Sequence, residues 1–154
     1  MMRLLAAEDD QVLRRELSRD LENHGYEVVV PENFEDAEDI VRRGEVHLVL
    51  LDVTLPGRDG YEICRSIRRF SRIPILFLTS RDTDMDELYG MTMGGDDFIA
   101  KPFDLSVLTA KVQALLRRAY EFQGAVPLLQ ARGAILNPSE ATLSYSGQIL
   151  ELTK

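Results

Sequence analysis

The sequence predicts an α/β fold built on a doubly wound parallel sheet, and three observations predict it. Short apolar runs alternate five times with segments of helical periodicity. The middle run, His47 to Leu51, is almost wholly apolar, as a strand covered on both faces should be. Polar residues with chemical capacity stand just past successive runs, where doubly wound sheets gather their sites.

Arg3 to Ala7 reads as the first strand. Val12, Leu13, Leu17 and Leu21 recur at helical spacing, and Gly25 stops that helix. Val28 to Val30 is the second strand, ended by Pro31. Phe34, Ala37, Ile40 and Val41 mark the second helix, closed by Gly44. After the third strand, Tyr61, Ile63, Cys64, Ile67 and Phe70 lie on a third helix. Ile75 to Leu78 is the fourth strand, and Met85 to Met93 a short fourth helix ending at Gly94-Gly95. Phe98 to Ala100 is the fifth strand. Leu105 to Tyr120 is the fifth helix, with Val107, Leu108, Val112, Leu115 and Leu116 on its expected buried side.

The pattern then changes. Residues 1–122 read as one domain and 123–127 as a linker around Gly124 to Pro127. Residues 128–154 read as a partial antiparallel β segment. Its expected strands are Leu128 to Arg132, Ala134 to Asn137, Ala141 to Tyr145 and Gln148 to Leu150, with turns at Asn137-Pro138-Ser139 and Ser146-Gly147. Such strands need a second layer to cover one face, so this segment reads as a fragment of a second domain.

Composition narrows the function classes. Apolar residues make up 45% of the 154, enough for a core. No stretch approaches a bilayer span and the N-terminus lacks a signal-peptide pattern, so a cytoplasmic protein without membrane contact is expected. A net charge of −8 disfavours binding to polyanions by this chain. The densest basic run, Arg65, Arg68, Arg69 and Arg72, is expected to be a solvated helix face. Cys64, the lone cysteine, is expected to be a small buried apolar residue in a reducing compartment.

Glu8, Asp9 and Asp10 follow the first strand, Asp52 the third, Thr79 and Ser80 the fourth and Lys101 the fifth. If strands one and three are neighbours, Glu8, Asp9 and Asp52 converge. Like charges a few Å apart are relieved by protonation or by a hard cation. Carboxylates plus a backbone carbonyl suit Mg²⁺, and a lysine with a hydroxyl opposite could hold phosphoryl oxygens. The arrangement suits phosphoryl transfer to a carboxylate. Taken singly, the acids could instead start a helix or cap a loop, and Lys101 could be a surface lysine.

Four segments, Ala7-Glu8-Asp9-Asp10, Leu50-Leu51-Asp52-Val53-Thr54-Leu55-Pro56-Gly57, Leu78-Thr79-Ser80-Arg81 and Gly95 to Phe103, together closely resemble the receiver domain of response regulators. The resemblance covers about Arg3 to Arg118. It implies a flavodoxin-like sheet of order 2-1-3-4-5 and a phosphoryl group on Asp52 delivered by a sensor histidine kinase. It implies Mg²⁺ held by Asp9, Asp52 and the Thr54 carbonyl, with Glu8 acting mainly through water. Thr79 would bond the phosphoryl group, Lys101 would pair with it before a cis Lys101-Pro102 bond, and Phe98 would be the switch aromatic. The chain would be no enzyme, but a phosphoacceptor assisting its own phosphotransfer and dephosphorylation. Thr54 and Arg81 are expected to tune phosphoaspartate lifetime, with Arg81 partly screening the site.

The tail, from Ala134 to Thr153, resembles the N-terminal sheet of OmpR/PhoB-type winged-helix domains. Promoter DNA is therefore expected of the full-length protein only, since a recognition helix is needed for base contacts. The same resemblance implies a homodimer through the fourth helix, fifth strand and fifth helix, using Asp96, Asp97, Lys111 and Arg118. Glu87 and Val107 depart from that pattern, so one intersubunit pair is expected to be missing. Met85 to Gly90, Met93-Gly94-Gly95 and Arg117 to Phe122 also resemble regulators of antimicrobial-peptide and bacitracin resistance. Two rivals fit less well. A haloacid-dehalogenase-type phosphatase places Asp-x-Asp after its first strand, and a nucleotide- or flavin-binding module would not carry Glu8-Asp9-Asp10 where a phosphate must sit.

Overall fold

A computed structural model describes residues 1–80, 84–122, 144–145 and 148–149. The chain divides after Leu116 into two units.

In the first unit, five parallel strands form one sheet: β1 (Arg3–Ala7), β2 (Glu27–Val29), β3 (Leu48–Asp52), β6 (Ile75–Thr79) and β7 (Asp97–Ala100), in the order β2-β1-β3-β6-β7. Counting these five alone, that is the expected 2-1-3-4-5. The reversal of strand order falls between β1 and β3, where Ala7 pairs with Leu51. The next residues on these strands, Glu8 and Asp52, are thereby brought to one edge of the sheet.

Central strands β1, β3 and β6 are buried on both faces, and strand alternation sorts their side chains. Leu5, Ala7, Val49, Leu51, Ile75 and Phe77 join one core with Ala37, Ile40 and Val41 of α2 (Ala37–Arg42) and Ile63, Cys64 and Ile67 of α3 (Gly60–Arg68). The alternate residues, including Leu4, Leu50 and Leu76, are buried too. Leu17 and Leu21 of α1 (Gln11–Asn23), with Leu108 and Val112 of α5 (Leu105–Leu116), supply further buried residues. Thr109 Oγ1 ties those two helices by donating to Asp20 Oδ2 at 2.7 Å.

Helix starts follow the local chemistry. Asp10 caps α1, accepting from the Val12 and Leu13 amides at 3.0 and 3.2 Å, and Asp59 caps α3 through the Tyr61 amide at 2.8 Å. Helix α4 (Asp84–Thr92) packs against β7, and Tyr61 meets Phe77 and Tyr89 edge-on with centroids 5.2 and 4.8 Å apart.

Several expectations are corrected. Val107 is 44% exposed: it sits in the first turn of α5, off the side that meets the sheet. The α-helical pattern of α5 ends at Leu116 and continues as a π-helical turn, Arg117–Phe122. Arg68 is not a solvated residue. Its side chain is 14% exposed and donates to the carbonyls of Gly94, Ser71 and Ile73 and to Asp96 Oδ2, between 2.6 and 3.2 Å. A hairpin that periodicity does not reveal, β4 (Thr54–Leu55) with β5 (Arg58–Asp59), follows β3. Pro56-Gly57 forms its turn, Gly57 taking φ +75°.

Cys64 is free and buried as expected, and burial pushes its thiol up to about 11. In the second unit, β8 (Ser144–Tyr145) pairs antiparallel with β9 (Gln148–Ile149). The linker at 123–127 and the strands expected at 128–132 and 134–137 lie outside the described residues, as does Arg81. No helix among the described residues is long and apolar enough to cross a membrane.

Candidate functional site

Four strand ends build the site, those of β1, β3, β6 and β7. Asp52 closes β3 with its carboxylate nearly buried, Oδ1 accepting from the Thr54 amide at 3.0 Å and Oδ2 from Lys101 Nζ at 2.8 Å. Glu8, just past β1, is fully buried. Its Oε2 accepts from the Asp10 amide at 3.0 Å, while Arg14 Nη1 donates to the Glu8 carbonyl at 2.8 Å. Lys101 Nζ also lies 2.8 Å from Glu8 Oε1, but off the hydrogen-bonding direction, so that oxygen has charge contact and no hydrogen bond.

Asp9 is exposed beside them, and carboxylate oxygens of Glu8, Asp9 and Asp52 all lie within 4.8 Å of one another. Three carboxylates thus face one ammonium. Burial lifts the Glu8 carboxyl above its usual range, although Lys101 and the Asp10 amide pull it back. Burial pulls the Lys101 ammonium down, but the nearby Asp52 and Glu8 carboxylates outweigh this and raise it, so it stays charged. A buried carboxylate oxygen without a hydrogen bond, in an all-oxygen cluster of surplus negative charge, fits a hard divalent cation.

Thr79 ends β6, buried, one residue past the Leu78 that pairs with Asp52. Its carbonyl accepts the Lys101 amide at 2.7 Å, which sets where Lys101 leaves the sheet, and the Lys101-Pro102 bond is cis. Phe98 of β7 pairs in register with Phe77 of β6 and is partly buried against the core. Thr54 is exposed on the hairpin.

The residues expected at a dimer face are engaged within the chain. Asp96 Oδ2 accepts Arg68 Nη2 at 2.7 Å and the Ile75 amide at 2.8 Å. Asp97 Oδ2 pairs with Lys111 Nζ at 3.1 Å, and Arg118 is exposed in the π-helical turn. The side chain of Glu87 lies outside the described residues.

One residue of the site carries no chemical signal in the sequence. A Cβ on Gly60 would come within 2.8 Å of Val53 Cα and closer to the Asp52 carbonyl oxygen. Only glycine lets α3 begin there, with the Gly60 amide donating to the Val53 carbonyl at 2.7 Å.

A five-stranded parallel sheet with flanking helices and an acidic cleft at the β1–β3 reversal defines the CheY-like receiver fold. The response regulator receiver domain model matches residues 4–113. Response regulator protein GraR of Staphylococcus haemolyticus (strain JCSC1435) is 39% identical over 154 residues, covering 99% of this chain and 69% of that protein. The N-terminal domain of the nisin resistance regulator NsrR, described as a lantibiotic response regulator, superposes with TM-score 0.69 at 38% identity, covering 76% of this chain and 99% of that one. A two-component response regulator from Clostridium difficile gives TM-score 0.73 at 31% identity, covering 78% and 99%. This chain belongs to the response regulator family, the receiving partners of sensor histidine kinases in two-component systems that control transcription.

Proposed function

We propose that Asp52 accepts a phosphoryl group from a phosphohistidine of the sensor kinase and that the chain answers by changing its self-association. The observation that carries this reading is a nearly buried carboxylate with an ammonium at 2.8 Å and two further carboxylates within 4.8 Å. An Asp52 oxygen attacks phosphorus, the bond to the histidine nitrogen breaks, and an acyl phosphate results. Glu8, Asp9, Asp52 and the Thr54 carbonyl would hold Mg²⁺, with Glu8 reaching it mainly through water. When bound, Mg²⁺ neutralises charge on the transferring group. Lys101 Nζ leaves Asp52 Oδ2 for a phosphoryl oxygen, and the Thr79 hydroxyl takes another. Phe98 turns inward as Thr79 shifts. The chain thus assists its own phosphorylation and dephosphorylation rather than turning over a separate substrate.

The self-association runs through α4, β7 and α5. Asp97 and Lys111 exchange their intrachain pair for one across a two-fold axis, with Asp96 and Arg118 at its rim. The donor chemistry sets the compartment, the cytoplasm, which suits the free buried thiol of Cys64. The resemblance of the segment from Ala134 to Thr153 to winged-helix domains supports promoter DNA as a partner of the whole protein. Similarity to GraR and to the nisin resistance regulator supports a role in resistance to antimicrobial peptides. Incubation with acetyl phosphate and Mg²⁺, read by intact mass and sedimentation, should add one phosphoryl group to wild type and none to Asp52→Asn. An equal gain on that variant would sink the reading.

A further inference from the structure

The loop that follows Asp52 is a hairpin with, among the described residues, no other strand beside it: β4 and β5 pair with each other, Thr54 opposite Asp59 and Leu55 opposite Arg58. A ribbon of that size does not hold its shape alone. One end is fixed by the Thr54 amide on Asp52 Oδ1 and by Leu55, buried in the core. The other end is fixed by Arg58. Its two terminal nitrogens fork onto Glu38 of α2, Nη1 to Oε1 at 2.8 Å and Nη2 to Oε2 at 2.9 Å. Both side chains are largely buried, 26% and 14% exposed. A guanidinium–carboxylate fork sets the plane and the distance of its partners, which a single contact does not. Burial pushes the Glu38 carboxyl up, but Arg58 holds it below its usual range. Helix α2 therefore grips the strand that lies beside Thr54.

We propose that the Arg58–Glu38 fork is a positioning pair for the Mg²⁺ site, fixing the hairpin so that the Thr54 carbonyl keeps its distance from the acidic cluster. This rests on the reading of that cluster as a Mg²⁺ site with Thr54 as a ligand. Neither Arg58 nor Glu38 touches the metal. They act as outer partners that orient a ligand, and such partners are commonly worth about 10–100-fold in metal affinity.

The test is a Mg²⁺ titration of the full chain followed by amide NMR, with thermal melts in EDTA beside it. Glu38→Gln and Arg58→Met should each weaken Mg²⁺ binding about tenfold, and the double variant should be no worse than the worse single one. Arg58→Lys keeps the charge and loses the fork, so it should also lose most of the affinity. Thr109→Val removes the α1–α5 hydrogen bond far from the hairpin. It should lower the melting temperature and leave Mg²⁺ affinity at the wild-type value. Wild-type affinity in Arg58→Lys and Glu38→Gln would overturn the proposal, as would an equal loss in Thr109→Val. Wild type that binds no Mg²⁺ would overturn the metal reading and this inference with it, which the variants alone cannot do.

Discussion

Two buried charge clusters in this chain use the same ingredients to opposite ends. Around Arg68, three carbonyls and one carboxylate receive the guanidinium, and Asp96 Oδ2 takes a backbone amide as well. Donors and acceptors there complete one another, and the knot fastens α3 to the segment leading into β7. Around Lys101, one ammonium is divided between two carboxylates, a third stands near, and Glu8 Oε1 has no hydrogen bond. Charge cost left uncompensated within the chain is what distinguishes an acidic cluster suited to a cation from a structural tie.

The sharpest way to break that contrast is Arg68→Met. It should cost about 2 kcal/mol of folding stability in a denaturant melt, less than a fully buried pair because Asp96 keeps contact with water. Mg²⁺ affinity should not move. A smaller effect of opposite sign is expected from Glu8→Gln. The Glu8 carboxyl is raised by burial above its ordinary 4.5, so the folded chain holds that proton to higher pH than the unfolded one. Its contribution is full below 4.5 and lost as pH rises through the raised value. Without Mg²⁺, the glutamine variant should therefore be more stable than wild type near neutrality, and the gain should fade toward pH 4. Melts across pH in EDTA decide this, and lower stability at pH 7 would place Glu8 with the structural ties. Smallest of all, Lys111→Met breaks a half-exposed pair and should change monomer stability by less than about 0.5 kcal/mol.

How far the sequence was legible follows from the range of the interactions. The apolar runs at 3–7, 48–51 and 75–78 are local signals, and strands buried on both faces leave no ambiguity of period. Glu8, Asp52, Thr79 and Lys101 could be picked out because each stands at or just past a strand end, and parallel topology gathers such ends. Arg68 could not, because its partners lie at Ser71, Ile73, Gly94 and Asp96, and a helix read alone shows only a basic run. Glu38 and Arg58 lie 20 residues apart on different elements, and their pairing appears only in the fold. Val107 was read as buried because apolar type predicts burial on average, whereas the start of α5 leaves it facing out. The hairpin did carry a signal, Pro56-Gly57, overshadowed by Asp52 beside it.

The close seating of Gly60 against residues 52 and 53 leaves no slack between Asp52 and α3. A flexible tether would absorb a small displacement of the Asp52 main chain. Here the same displacement has to be carried by a whole helix, one whose far end is knotted through Arg68 to the approach of β7. Any shift that begins at Asp52 has a rigid lever already attached to it.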